Sequence, residues 1–205
     1  MAARPLGGAD ALAAALGPDG AAALHRLAVA AVRAAVEDAP LPAEARAGVP
    51  DVPVFGAFVT IHERGGDLRG CIGSLGDVRA AADLVVRSAR ASALEDPRFP
   101  VVRPAELPRL DVEVSLLAPL EELDPAVLPQ GVEVGRHGLV VERGSRRGLL
   151  LPQVASDRDW TPETFLDETC RKAGLPRDEW RRGARVFRFA ALVVGDDGRI
   201  RDLAR

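Results

Sequence analysis

The sequence predicts an α+β fold, and three observations carry that expectation. Three stretches repeat apolar residues at helical spacing, and several short runs alternate apolar with polar residues. The runs are joined mostly by hairpin signals rather than by helices, which argues against a series of βαβ units. The expected architecture is a mostly antiparallel sheet packed with three main helices. Residues 1–18, rich in Ala, Gly and Pro, are expected to be a frayed lead-in. Residues 19–195 form the folded domain, and 196–205 a polar tail.

Asp19 is placed to cap a first helix over 20–37, with Leu24, Leu27, Ala28, Ala31, Val32, Ala35 and Val36 on one face. A connector punctuated by Pro40 and Pro53 follows. Two β-runs between Ala57 and Gly73 flank Arg64-Gly65-Gly66-Asp67, a hairpin signal. Asp77 is the expected cap of a second helix reaching Leu94, with Val78 among its inward residues, and Asp96-Pro97 ends it. Leu110 to Leu116 alternates: Leu110, Val112, Val114 and Leu116 inward, Asp111, Glu113 and Ser115 outward. Strands over 138–142 and 148–151 meet at a tip bearing Arg143, Arg146 and Arg147. Thr161-Pro162 starts a helix that stops at Gly174, and 185–194 is the last strand. His25 is expected at the surface.

Composition narrows the function. With 27 basic and 30 acidic residues the net charge is −3, which disfavours a bulk nucleic-acid or anionic-membrane binder. Lys172 is the single lysine; that arginine usage reads as coding bias. Aromatic content of 4% also disfavours RNA binding. Cys71 and Cys170 stand in no metal-ligand spacing, so neither a structural zinc site nor a disulfide scaffold is expected. No apolar run suits a secretory leader or a membrane span, and the cytoplasm is the expected compartment.

A two-residue Gly65-Gly66 turn sets the hairpin register. His62 then pairs with Arg69, Ile61 with Gly70, Thr60 with Cys71 and Val59 with Ile72. Thr60, His62, Arg69 and Cys71 share one face, while Val59, Ile61, Leu68 and Ile72 share an apolar one. Arg69 beside Cys71 favours the thiolate, and Gly70 and Gly73 admit a close approach to the backbone. Cys71 is thus the candidate nucleophile or ligand-contacting thiol, against the alternative of a packed strand cysteine. Glu113 and His137 are candidate proton-transfer groups. Thr60, His62, Arg69, Gly70, Gly73, Arg98 and Ser115 are candidate ligand contacts. Arg98, in a Pro-bounded loop, is read equally as a salt-bridging residue.

The stretch Phe58-Val59-Thr60-Ile61-His62 with Leu68-Arg69-Gly70-Cys71-Ile72-Gly73-Ser74-Leu75 resembles the hallmark of the AMMECR domain family. Matches continue in order through Asp96-Pro97-Arg98-Phe99-Pro100, Leu107-Pro108-Arg109-Leu110, Glu113-Val114-Ser115-Leu116, Gly135-Arg136-His137-Gly138-Leu139, Leu150-Leu151-Pro152-Gln153-Val154-Ala155 and Cys170-Arg171-Lys172-Ala173-Gly174-Leu175-Pro176. Bacterial and archaeal members are often called AmmeMemoRadiSam system protein A. The resemblance implies a two-lobed α+β fold with a cleft lined by Leu68 to Leu75, and partners of two kinds: a Memo-type protein and a radical-SAM enzyme. The chain has no iron–sulfur ligand set, so it is not the radical-SAM component. Three functions are open: an enzyme or enzyme component using the cleft around Arg69 and Cys71, a non-catalytic protein-binding module, and, least favoured, an RNA binder.

Overall fold

The computed structural model describes residues 8–201. The chain divides into two compact units. The first comprises residues 8–118 and 192–201, the second residues 119–191.

The first unit opens with helix α1, Gly8–Val36, which breaks at Gly17 (φ 64°) before Pro18. Residues 1–7 lie outside the described residues, but 8–16 are helical rather than frayed. Gly17-Pro18 marks a kink, not a boundary, because Leu12 and Leu16 on its N-terminal side are buried in the same core as Leu24, Leu27 and Val32. Strands β1 (Pro53–Glu63) and β2 (Leu68–Ala80) form the hairpin, and helix α2 (Ala81–Leu94) follows directly. Residues 77–80 therefore continue the strand instead of opening the helix: Ala80 pairs with Pro53 and Arg79 with Val54. Val78, expected inward, is 48% exposed. After a 3-10 turn, Pro104–Arg109, strand β3 (Leu110–Leu117) pairs with the other side of β1, giving the order β2-β1-β3.

One face of these strands meets α1 and α2. Ala57, Val59, Ile61, Val112, Val114 and Leu116 are buried there, as the alternation of β3 predicts. His25 is half-buried rather than at the surface, since its Nε2 donates to the Val112 carbonyl at 3.1 Å. In the supposed tail, β8 (Ile200–Arg201) pairs with Val193 and Val194.

The second unit is an antiparallel set. Strand β4 (Glu121–Glu122) pairs with β7 (Arg185–Val194), β7 with β5 (His137–Arg143), and β5 with β6 (Arg146–Leu150). A short helix α3 (Pro152–Ser156) precedes α4 (Pro162–Lys172), whose Thr161 cap accepts from the Thr164 N–H at 3.2 Å. Phe165, Leu166, Cys170 and Trp180 are among its core. The arginines of the β5–β6 tip are engaged locally: Arg143 with Glu179, Arg146 with the Gly174 carbonyl and Arg147 with Glu142. Among the described residues no helix is long and apolar enough to cross a membrane.

Truncating a fully buried leucine costs about 2–5 kcal/mol, whereas the same change in a frayed segment is nearly neutral. Leu12→Ala is expected to lower the urea-unfolding free energy by about 2–5 kcal/mol.

Candidate functional site

Cross-strand pairing builds the outward face of β2-β1-β3 in rows. Thr60 stands opposite Cys71 on one side and Glu113 on the other; Phe58 stands between Gly73 and Ser115; His62 faces Asp111 on β3. Directly opposed residues share a face, so Thr60, Cys71, Glu113, His62 and Ser115 are brought onto one surface. Thr60 Oγ1 donates to Cys71 Sγ at 3.3 Å. Adjacent strands lie about 4.8 Å apart, which puts Cys71 and Glu113 roughly 10 Å from each other across Thr60. That exceeds the about 3 Å needed for direct proton transfer. At that separation Glu113 does not meet Cys71 directly, and Thr60 stands between them.

The hairpin register holds at Val59–Ile72, Thr60–Cys71 and Ile61–Gly70, then slips. Arg69 is the extra residue of a β-bulge, and His62 pairs with Leu68 instead. Two expectations change. Leu68 moves to the His62 side and is 40% exposed rather than in the core. Arg69 is buried, away from Cys71: its Nε donates to Glu106 Oε1 at 2.8 Å and its Nη2 to the Val101 carbonyl at 3.2 Å.

The end of α2 holds the motif strand closely. A Cβ on Gly70 would lie 2.3 Å from the Ser92 carbonyl oxygen, and one on Gly73 would lie 2.2 Å from the Phe58 ring, so both positions require glycine. Ser92 Oγ accepts from the Ile72 N–H at 2.8 Å and donates to the Val59 carbonyl at 2.6 Å. Beyond the helix, the buried Asp96 carboxylate accepts from the Cys71 N–H at 2.8 Å and from the Arg98 guanidinium at 2.7 Å. Arg98 Nη2 donates to the Cys71 carbonyl at 3.2 Å. Both backbone groups of Cys71 are thus held by the Asp96–Arg98 pair. Arg98 takes the salt-bridging role of its two readings.

A cavity of ≈ 280 Å³ lies at the His62 end of this face. It is lined by His62, Asp111 and Glu113, with Asp196 and Arg201 from the far end of the chain. Arg201 pairs with Glu113 at 3.0 Å and with Asp196. His62 Nδ1 donates to the Gly66 carbonyl at 3.3 Å, and Ser115 is buried. His137 belongs to the second unit, where its Nδ1 accepts the Glu133 N–H at 3.0 Å. Burial and the charge of Arg188 push its pKa below the ordinary 6.5. No group of three or more His, Cys, Asp or Glu among the described residues is arranged to hold a metal ion.

Sequence reasoning missed Asp96, Ser92, Glu106 and Arg201 as parts of this region. Asp96 stood within a recognisable motif and Glu106 beside one, but their partners Cys71 and Arg69 are distant in the chain and no local pattern announces them.

An α+β protein whose edge strand carries a glycine-flanked, backbone-clamped cysteine is the class that the fold and this face define. A family model for AMMECR1 matches residues 24–194, and the chain belongs to the AMMECR1 family. A protein of Methanothermobacter thermautotrophicus is 49% identical over 147 residues, covering 70% of this chain and 76% of its own. One from Thermofilum pendens is 50% identical over 131 residues, 62% of either chain. The crystal structure of an uncharacterised protein from Pyrococcus horikoshii superposes with a TM-score of 0.75 at 36% identity, covering 89% of this chain and 95% of that one.

The Arg98 guanidinium, with the N–H groups of Cys71 and Arg98, holds the Asp96 carboxyl well below its ordinary 3.8 against the opposing effect of burial. That stabilisation is complete above pH 3.8 and is lost as pH falls below it. Asp96→Asn is expected to cost about 1–3 kcal/mol at neutral pH and to flatten the acid limb of stability, read by urea unfolding across the pH range. His137, with a lowered pKa, resists protonation when folded. Stability is therefore expected to fall as pH drops below 6.5 and to level off below the folded-state value. In His137→Gln that slope disappears from denaturation midpoints.

Proposed function

We propose that this AMMECR1-family protein is an enzyme, or a component of one, that takes a ligand on the outward face of β2, β1 and β3, with the Cys71 thiol as the group that meets it. The observation that carries this reading is how the motif residues are engaged. Arg69 is held by Glu106, Gly70 makes room for the Ser92 carbonyl, the Ile72 N–H meets Ser92, and Gly73 makes room for Phe58. The peptide of Cys71 is fixed on both sides, yet its side chain is only half-buried, and its thiol meets the Thr60 hydroxyl. A half-buried thiol on a fixed backbone, receiving a hydrogen bond from the Thr60 hydroxyl, is a preorganised nucleophile or ligand contact. Glu113, on the far side of Thr60, would serve a ligand that spans the row. A Memo-type protein and a radical-SAM enzyme are the partners that the family resemblance suggests.

Thiol alkylation tests the reading. Iodoacetamide is expected to modify Cys71 in the native protein faster than it modifies glutathione at the same pH. Cys170, fully buried with its thiol pushed up to about 11, is expected to stay unmodified until the protein unfolds. Thr60→Val is expected to slow Cys71 by about 3- to 10-fold through loss of one hydrogen bond. A Cys71 rate below that of glutathione and indifferent to Thr60→Val would sink the proposal and favour a non-catalytic binding module.

A further inference from the structure

We infer that the outer edge of β2 from Gly73 to Gly76, together with the α2 face carrying Arg87 and Arg90, binds an extended acidic peptide segment of a partner protein as an added strand. Among the described strands β2 pairs with β1 alone. The backbone groups of Cys71 point away from β1, since they meet Asp96 and Arg98. Alternation along a strand then directs the N–H and C=O of Gly73 and Leu75 outward as well. The Asp96–Arg98 pair occupies this edge only at Cys71, and so marks where an added strand has to start.

Beside the edge lie two adjoining cavities, ≈ 330 Å³ and ≈ 240 Å³, which share Ser74 and Arg87. Ser74 Oγ is buried with no hydrogen-bond partner among the described residues. Arg87 meets no carboxylate among them either, in a chain where Arg69, Arg98, Arg185 and Arg188 all do. Arg90 reaches Glu95 only at 3.9 Å, with both side chains largely in solvent. Leu75 and Val78, 41% and 48% exposed, flank the edge with apolar surface. Strand addition supplies main-chain hydrogen bonds, the two arginines select carboxylate side chains, and Leu75 and Val78 accept an intervening apolar one. A nucleic acid has no alternating N–H and C=O to match the edge amides.

The probe is a short fluorescein-labelled peptide alternating valine and glutamate, titrated with the full chain at low salt and followed by anisotropy. Saturable binding is expected, weakened by about 10-fold or more in Arg87→Glu/Arg90→Glu, with slowed hydrogen exchange at the Gly73 and Leu75 amides. N-methylation of alternate peptide amides is expected to abolish it. Both arginines are exposed, and circular dichroism verifies the variant's fold. Absence of saturation up to about 1 mM peptide, equal binding of the N-methylated peptide, or arginine-dependent binding of a single-stranded oligonucleotide in its place would overturn the inference. The readout does not involve alkylation of Cys71, so this inference and the proposed function fail separately.

Discussion

The close approach of α2 to strand β2 at Gly70 is the constraint on which the first unit depends. A helix carbonyl sits where a side chain would begin, and only glycine tolerates it. At that distance the Ser92 hydroxyl reaches into the β1–β2 ladder, and the chain leaving α2 runs beside the edge strand. Asp96 then meets Cys71, and Val102 donates to the Ala93 carbonyl. The turn that follows brings Glu106 to Arg69.

The magnitudes show why such a cascade persists. A neutral hydrogen bond contributes about 1 kcal/mol net, and one to a charged group about 1.5–3, while a buried carboxylate without partners is far costlier. Asp96 accepts from two backbone N–H groups and a guanidinium, so its burial is offset several times over. Glu106 does the same for Arg69 and for the Arg103 N–H. Loops that would otherwise wander are thereby tied to the strand that carries the thiol, and the geometry around Cys71 is fixed by groups that do not touch its sulfur.

Much of this was legible in the sequence because it is periodic. Alternation in β3 and at Thr60–Cys71 gave the two faces of the sheet, since a strand has only two sides. What failed was non-periodic. The bulge at Arg69 breaks the alternation by one residue, and nothing local distinguishes a bulge from a regular pair; the buried partner that holds it, Glu106, lies far along the chain. Residues 1–18 read as a frayed lead-in because they are rich in Ala, Gly and Pro, yet Leu12 and Leu16 draw the turns before Gly17 onto the core. The strand extension to Ala80 was hidden for a related reason: its pairing with Pro53 and Val54 is set by long-range register.

The chain's path has a consequence for its synthesis. Residues 8–118 belong to one unit, 119–191 to the other, and 192–201 return to the first, with β7 begun in one and finished in the other. A growing polypeptide therefore exposes α1, α2 and β1–β3 long before Leu192, Val194 and Ile200 exist to finish their apolar core, while the inserted unit emerges as one contiguous stretch. On the ribosome the first unit to start is the last to be completed, and its edge strand spends that interval beside an unfinished core.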